Sequence, residues 1–292
     1  MATTHALSAL TNQPALDKMA EPLSRAVRGA YESAGDAGRI AKNAAHGVWL
    51  SHPFHPAIVA VPIGAWTTAV ALDVAGAVNG DRAMSRAAEV AIAVGLAGAV
   101  GSAVTGLTDW SETSGQSRRT GLVHGMVNVA ATGLFALSYL LRKRGARAAG
   151  QTCSAAGLAF ASAGGYLGGV MVYDNRIGVT HADQELPEEF TPAAAAASVA
   201  DNSMVRARAG DADVLLVRQR GRICALAHPC THMGGPLSEG TLKDGSVVCP
   251  WHGSEFALAD GRGINGPATQ NQPCLIARER DGNIEVKGPA NS

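Results

Sequence analysis

At 292 residues the chain is long enough for two domains, and its 24 Lys and Arg residues balance its 24 Asp and Glu residues. This balance argues against a basic nucleic-acid-binding surface and against an acidic disordered tail, so no nucleic-acid partner is expected. The composition is uneven, because roughly the first two thirds is rich in Ala, Gly and Val whereas the last part has the mixed composition of a soluble domain. We therefore expect a multidomain protein.

Residues 1–48 are predicted to form an N-terminal arm with one amphipathic helix. From Pro22 to about Ala45, small apolar residues recur at roughly helical spacing with charges between them. We interpret this segment as a helix lying on a membrane surface. A soluble or partly disordered arm is the alternative.

Four apolar segments follow, each near the length needed to cross a bilayer core. They cover approximately residues 57–78, 90–107, 121–141 and 151–173. Their many Gly and Ala residues would weaken a water-soluble helix but allow close helix contact in lipid. The pattern predicts an all-α four-helix transmembrane domain over residues 49–180, with the buried helices of a soluble bundle as the alternative. The lipid bilayer is then a partner, and the loop charges are too evenly divided to assign the side of the C-terminal domain.

Residues 181–200 are polar and rich in Pro and Ala, and are predicted to be an exposed linker. Beyond them, short β-prone runs alternate with Gly or Asp turns such as Gly210-Asp211 and Asp281-Gly282. The pattern predicts a small antiparallel all-β domain over residues 201–292. The expected strands are residues 214–218, 222–227, 246–249, 254–257, 274–278 and 283–287.

The five cysteines have irregular spacings that favour metal ligation over a secreted disulfide framework. The decisive segment is Cys230-Thr231-His232, then sixteen residues, then Cys249-Pro250-Trp251-His252. Two loops thus supply one thiolate and one imidazole each. Zinc also accepts two cysteines and two histidines, although zinc knuckles place both cysteines in one hairpin. Spacing alone would also allow ligation by Cys224 or His228, but Cys224 fits a buried strand position.

The motif resembles the Rieske fingerprint, in which two cysteines ligate one iron of a [2Fe-2S] cluster and two histidines ligate the other. The flanking residues 232–237 and 252–256 are similar to the cluster loops of that family, and Gly266-Pro267-Ala268 is similar to the loop that covers the cluster. This resemblance implies that the cluster is the cofactor. Its expected ligands, both cofactor-binding and metal-binding, are Cys230, His232, Cys249 and His252.

Two departures from the Rieske proteins of cytochrome bc complexes are visible. The extra cysteines that pair there are replaced by Gly235 and Trp251, so the domain looks like the ferredoxin-type members that serve ring-hydroxylating oxygenases. Ser254 remains available to donate a hydrogen bond toward a cluster sulfur, whereas a tyrosine of the high-potential proteins is Phe256 here. We expect a potential in the lower part of the Rieske range, and a value near about +300 mV would contradict this.

The helical region is similar to a family of four-helix bacterial membrane proteins of unknown function. The likeness rests on residues 52–56, 62–66, 105–110 and 165–169, together with Asp73, His124 and Asn128. It covers about residues 45–180 and implies a multi-pass location in the inner or cell membrane of a bacterium. Members often carry a histidine at the position of Met171.

Ionisable residues inside spans are costly and are therefore functional candidates. His55 and His124 could form a haem or quinone site, with Met171 as an axial ligand. The favoured interpretation is that they make interhelical hydrogen bonds, with Asp73, Asp109 or Asn128 as partners.

The sequence therefore predicts a membrane-anchored Rieske-type electron-transfer protein, a carrier rather than a complete enzyme, with no assigned catalytic residue. A redox partner protein is expected, such as a flavoprotein reductase or an oxygenase, or else quinone. The alternatives are a quinol-oxidising membrane component, with or without haem, and a non-catalytic redox sensor.

Overall fold

A computed structural model of the protein describes residues 11 and 13–288. The chain divides into two compact units. The helical unit contains residues up to Arg39 together with Phe54–Ile177, and the β unit contains Ile40–Pro53 together with the residues from Gly178 onward. Residues 1–10 and 12 of the expected arm, and residues 289–292 of the expected β domain, lie outside the described residues.

Four helical stretches are long and apolar enough to cross a membrane, and each extends beyond the apolar run that predicted it. For example, the second begins at Arg82, where Asp81 Oδ1 accepts a hydrogen bond from Ala83 N at 2.7 Å and caps the helix. The predicted all-α character is confirmed. In chain order the α-helices are α1 (Asp17–Ser33), α2 (Gly35–His46), α3 (His55–Ile58), α4 (Ala60–Asn79), α5 (Arg82–Ser111), α6 (Gly115–Lys143) and α7 (Arg147–Tyr173), with α3 and α4 together forming the first candidate span.

Small residues allow the helices to approach closely around two aromatic rings. Trp66 on α4 stacks on Phe135 on α6, with 4.3 Å between the ring centroids and 11° between their planes. A Cβ at Gly95 would collide with the Trp66 indole, and a Cβ at Gly157 would lie 2.9 Å from Phe135 Cδ2. The Gly-rich composition of the apolar segments therefore serves helix packing, as expected.

A buried ion pair connects three of these helices. Arg142 Nη1 on α6 donates to Asp73 Oδ1 on α4 at 2.8 Å, and Arg142 Nη2 donates to the second carboxylate oxygen. Arg142 also donates to Ser138 Oγ at 3.1 Å and to Ser154 Oγ at 3.2 Å. Asp73 therefore pairs with Arg142, and the expected histidine partner for Asp73 is wrong because the guanidinium occupies both carboxylate oxygens.

The first helix binds the corner between α5 and α6 through its polar side chains. Ser24 Oγ donates to Ser111 O at 2.9 Å, and the hydroxyls of Tyr31 and Thr108 are 2.7 Å apart. The single helix expected from Pro22 to Ala45 is divided into α1 and α2, because Gly35 has a positive φ of 55°. Its membrane-surface role stays a prediction.

The β unit contains two antiparallel sheets. The larger has the strand order β1-β10-β9-β4-β3-β2 and the smaller has the order β5-β6-β7-β8. The expected antiparallel all-β domain is confirmed. The strands are β1 (Thr191–Ala195), β2 (Ser203–Ala209), β3 (Ala212–Gln219), β4 (Arg222–Ala227), β5 (Thr241–Lys243), β6 (Ser246–Val248), β7 (Glu255–Ala257), β8 (Gly263–Asn265), β9 (Cys274–Arg280) and β10 (Asn283–Lys287).

Four of these strands differ from the sequence expectation. Strand β1 lies inside the expected linker and pairs with β10 at the sheet edge, a position that tolerates Pro192. Strands β5 and β8 have only three residues each, too few to show an alternating pattern. Strand β2 pairs with β3 along its full length, although Arg206 and Arg208 interrupt its apolar residues.

Strand β3 separates two hydrophobic clusters because successive side chains point to opposite faces. Val214 and Leu216 lie in one cluster with Ile284 and Val286. Leu215 and Val217 lie in the other, which also contains Cys230, Cys249 and Phe256. The candidate ligand cysteines are therefore anchored in a well-packed core.

Candidate metal centre

The two loops that carry the candidate ligands use the same hydrogen-bond pattern. In the loop after β4, Cys230 N donates to Gly235 O at 2.9 Å and Gly234 N donates to Cys230 O at 2.8 Å. In the loop after β6, Cys249 N donates to Ser254 O at 2.8 Å and Gly253 N donates to Cys249 O at 3.1 Å. Each loop is thus closed around its cysteine by the residues four and five positions later.

Each ligand loop needs a glycine four residues after its cysteine. Gly234 has a φ of 74° and Gly253 has a φ of 75°, a backbone conformation that side chains with a Cβ rarely adopt. The repeated Cys-to-Gly spacing in the sequence therefore reflects one local turn used twice.

The two cysteine side chains lie next to each other and are almost fully buried. Cys230 is 1% exposed and Cys249 is 3% exposed. A hydrogen bond between the two thiols lowers the pKa of Cys249 to about 7 and raises the pKa of Cys230. Cys249 is therefore the thiol that ionises first, and thiolate is the form that binds metal.

The two histidines also form a pair. The imidazole rings of His232 and His252 have centroids 4.9 Å apart and are nearly perpendicular, at 86°. The candidate residues thus form a thiol pair and an imidazole pair, and among the described residues no group of three or more His, Cys, Asp or Glu side chains could hold one metal ion. This arrangement suits two metal ions with different ligands better than one tetrahedral ion, which would need all four donors around one point.

The state of His232 fits a metal ligand. Burial, and to a smaller extent the neighbouring His252, lower its pKa to about 3, so the ring is neutral at physiological pH. Its Nδ1 atom is buried and has no hydrogen-bond partner in the described part of the chain. A buried ring nitrogen without a partner is costly unless something else binds it, and neutral imidazole is a good metal ligand.

Gly235 controls the space beside the thiol pair. A Cβ at this position would lie 2.7 Å from Cys249 Sγ and 3.2 Å from the Trp251 ring. The positions occupied by cysteines in the bc-type proteins are therefore neighbours here, filled by a glycine and an indole. The close approach to Cys249 Sγ gives a steric reason for glycine at this position.

Two side chains fix the ligand loops to the rest of the β unit. Gln272 Oε1 accepts from Thr231 N at 3.0 Å, and Gln272 Nε2 donates to Ala227 O at 2.8 Å and to Pro229 O at 2.6 Å. Ser254 Oγ accepts from Ala268 N at 2.9 Å and so connects the second ligand loop to the 266–268 loop. Sequence analysis missed Gln272, since a glutamine outside a motif carries no signal.

The other residues that spacing allowed as ligands have different environments. Burial raises the pKa of Cys224, which keeps this thiol protonated within β4. His228 Nε2 lies 2.8 Å from Ser238 Oγ. Neither arrangement favours ligation.

The two histidines of the helical unit make interhelical contacts, as favoured, but with partners other than those expected. His55 Nδ1 lies 3.0 Å from Thr105 Oγ1 on α5, and His124 Nδ1 lies 2.9 Å from Gly164 O on α7. Asn128 Nδ2 lies 3.2 Å from His124 Nε2, but both residues are on α6, so this contact is within one helix. The Met171 side chain packs beside Gly121 on α6, since a Cβ at Gly121 would lie 3.3 Å from Met171 Cε.

Two family models match the chain. Residues 189–277 match the family described as Rieske [2Fe-2S] domain, and residues 51–181 match the family described as Predicted membrane protein (DUF2231). Both resemblances seen in the sequence are confirmed. The first match implies a [2Fe-2S] cluster as the cofactor, and the second, with the four apolar helices, supports a membrane location.

Several curated relatives resemble the β unit. The chain is 33% identical over 75 residues to the 3-phenylpropionate/cinnamic acid dioxygenase ferredoxin subunit of Photorhabdus laumondii, which covers 25% of this chain and 71% of that protein. It is 31% identical over 81 residues to Ferredoxin CarAc of Metapseudomonas resinovorans, covering 28% of this chain and 76% of that protein.

The similarity to some larger relatives is confined to a short region. Apoptosis-inducing factor 3 of Mus musculus is 50% identical over 48 residues, which is 16% of this chain and 8% of that protein. The chain thus spans less than a tenth of the length of this relative, whose remaining parts have no counterpart in the match.

Proposed function

The chain belongs to the Rieske [2Fe-2S] family, and on that premise we propose that it is a membrane-anchored one-electron carrier whose ligands are Cys230, His232, Cys249 and His252. The observation that carries this proposal is the arrangement of these side chains as a buried thiol pair and an imidazole pair carried by the same two loops. When bound, the [2Fe-2S] cluster supplies one-electron redox chemistry at a potential raised by histidine ligation.

The protonation states of the four residues suit this role. Metal binding needs deprotonated cysteines and neutral histidines. Cys249 reaches the thiolate form near neutral pH because Cys230 donates a hydrogen bond to it. His232 is already neutral because it is buried. The Cys230 thiol has a raised pKa, so removing its proton costs free energy. A bound metal cation offsets this cost because it stabilises the thiolate.

Three observations support the proposed membrane anchor. Four helices have the length and composition of spans, and the matching family is described as a membrane protein. Large apolar side chains also lie on the outer surface of these helices, as at Val78 and Val129. Such a surface is unfavourable in water and favourable in a bilayer.

The proposed redox partner is another protein, either a flavoprotein reductase or an oxygenase. The relatives from Photorhabdus laumondii and Metapseudomonas resinovorans are both named as ferredoxins, and the first is named as a subunit of a dioxygenase. These two ferredoxins match only 25% and 28% of this chain, so they leave its four apolar helices unexplained, and a membrane quinone is the competing electron donor.

The test uses detergent-purified, full-length protein from bacterial membranes. After reduction with dithionite we expect the EPR spectrum of a Rieske cluster, with two iron and two acid-labile sulfide atoms per chain. The protein should also stay in the membrane pellet after alkaline carbonate extraction. Zinc in place of iron would refute the redox proposal, and release by carbonate would refute the anchor.

The same preparation distinguishes the electron donors. We expect NADH with a flavoprotein reductase to reduce the cluster and a reduced quinone alone to leave it oxidised. Reduction by the quinol would instead favour a quinol-oxidising membrane component.

A further inference from the structure

A short segment outside the sheets belongs to the β unit. Residues Ile40–Pro53, which we call the cap, group with the chain from Gly178 onward rather than with the helices. The cap contains the last residues of α2 and the short 3₁₀ helix Val48–Leu50. Residues 40–50 lie outside both regions matched by family models, so neither family explains this segment.

One cap side chain binds the loop that resembles the cover of the cluster. Asn43 Nδ2 donates to Asn265 Oδ1 at 3.0 Å, and Asn43 Oδ1 accepts from Gly266 N at 3.0 Å. Asn265 Nδ2 in turn donates to Glu255 Oε2 at 2.7 Å. The amide of Asn43 thus uses both of its ends, on the last residue of β8 and on the first residue of this loop, 222 and 223 positions away along the chain.

The cap also packs tightly on the same loop. A Cβ at Gly266 would lie 3.2 Å from His46 Cδ2 and 3.2 Å from Val48 Cγ2, closer than ordinary van der Waals contact. His46 is 1% exposed. The loop and the cap therefore form one packed surface rather than a chance polar contact.

The loop that the cap binds is attached to one of the ligand loops. Ala268 N donates to Ser254 Oγ at 2.9 Å, two residues after His252. On the other ligand loop, His181 N donates to Thr231 O at 3.0 Å. The cap therefore reaches the second ligand loop through the 266–268 loop, and the segment at residue 181 contacts the first.

We propose that the cap completes the redox site, with Asn43 as the positioning residue that holds the 266–268 loop over the ligands and keeps water away from them. This inference rests on the proposed function, because it requires a cluster at the four ligand residues. It adds a structural part that the Rieske family match does not contain.

The expected consequence follows from solvation. Uptake of an electron adds one negative charge to the site, and water stabilises that charge better than a packed, apolar surrounding does. A cap that excludes water therefore lowers the reduction potential. Loosening the cap should raise the potential, whereas adding a negative charge to the cap should lower it.

The test compares variants of full-length, detergent-purified protein by film voltammetry, with iron and sulfide measured in each sample. Asn43→Ala removes both hydrogen bonds between the cap and the rest of the β unit. Gly266→Ala adds a methyl group that pushes His46 and Val48 of the cap away from the loop. Both should raise the potential. Asn43→Asp adds a carboxylate at the same place and should lower it.

The matched controls are Asn283→Ala and Asn283→Asp. Asn283 is exposed in the same unit, and its side chain donates to Asp281 O at 3.4 Å. Both controls should keep the wild-type potential. Opposite shifts for the two Asn43 variants support the cap, because general loosening of the fold would move both potentials in the same direction.

Two results separate failure of the inference from failure of the proposed function. Absence of iron and sulfide from the wild-type protein refutes both. A wild-type protein with its cluster, and Asn43 and Gly266 variants that keep the cluster at the wild-type potential, refutes the cap alone. If Asn43→Ala loses its cluster, the other two variants decide. Wild-type potentials in both Asn43→Asp and Gly266→Ala would then refute the proposed role of the cap.

Discussion

The helical unit and the β unit place their apolar and charged side chains in opposite ways. In the helical unit Val129 is 73% exposed while Arg142 is only 4% exposed. In the β unit Leu216 is fully buried, while Arg220 is an exposed residue. An apolar surface, as on the helical unit, is stable in lipid. A charged surface, as on the β unit, is stable in water.

The same contrast applies to the buried polar groups of each unit. Arg142 and Asp73 neutralise each other across the helices, and Ser138 and Ser154 bind the remaining guanidinium hydrogens. In the β unit, by contrast, the thiols of Cys230 and Cys249 hydrogen-bond to each other, and burial lowers the pKa of His232. The first arrangement is complete in itself, and the second is suited to a cation.

The largest expected effect is the loss of the cluster from the β unit. Cys249→Ser should remove the cluster completely, because a serine hydroxyl is a much weaker ligand than a thiolate. Cys274→Ser is the matched control, since Cys274 is a half-buried cysteine on β9 outside the ligand loops. Iron, acid-labile sulfide and EPR measure the result. Equal iron content in the two variants would contradict the ligand assignment.

A large loss of stability is expected from breaking the buried ion pair of the helical unit. Arg142→Leu leaves Asp73 as an uncompensated buried charge and should destabilise the unit by about 3–5 kcal/mol. The double variant Arg142→Leu with Asp73→Leu should regain most of this loss. Thermal unfolding in detergent measures both. A single variant as stable as the wild type would show that the pair is not buried in the folded protein.

A smaller effect tests directly which solvent each unit faces. Val129→Lys, at the middle of α6, should oppose membrane insertion by about 2.5–3.5 kcal/mol. Ile276→Lys places the same residue at an exposed apolar position on β9 and should change stability by less than about 0.5 kcal/mol. The amount of protein in the membrane fraction measures the first, and thermal unfolding measures the second. Normal insertion of Val129→Lys would refute the proposed anchor.

The smallest expected effect concerns an ion pair on the surface of the β unit. The hydrogen bond from Arg206 lowers the pKa of Asp213. The folded-state pKa is then below the unfolded value of about 3.9, so the stabilisation is present at neutral pH and is lost as the pH falls through the folded-state pKa.

Arg206→Gln should therefore reduce stability only slightly at pH 7, because the pair is exposed to solvent. The difference from wild type should disappear at acidic pH, below the folded-state pKa of Asp213. Unfolding by denaturant at several pH values measures this. A difference that grows on acidification would show that Asp213 is not the responsible group.

The features that the sequence predicted are those with a local pattern. The apolar runs predicted the four long helices, and the Cys-x-His and Cys-x-x-His motifs predicted two loops that the structure brings together. The turns at Gly210-Asp211 and Asp281-Gly282 separated strands that do pair with each other. In each case the information lies within a few consecutive residues.

The missed features depend on contacts between distant residues. Asp73 and Arg142 are 69 positions apart, so their pairing could not be distinguished from other partners. The Asn43 contact with Gly266 spans 223 positions and involves residue types without a motif. Strand β1 is an edge strand of Pro and Ala residues, whose composition resembles a linker until β10 is available to pair with it.

The central claim is that two thiolates and two imidazoles hold one [2Fe-2S] cluster in this chain. Pulsed EPR or ENDOR on the dithionite-reduced, full-length protein tests it most directly, because nitrogen nuclei bound to the reduced iron give strong hyperfine couplings. We expect couplings to two nitrogens in the wild type and to only one after His232→Cys, if that variant keeps its cluster. A reduced spectrum without any strong nitrogen coupling would contradict the claim.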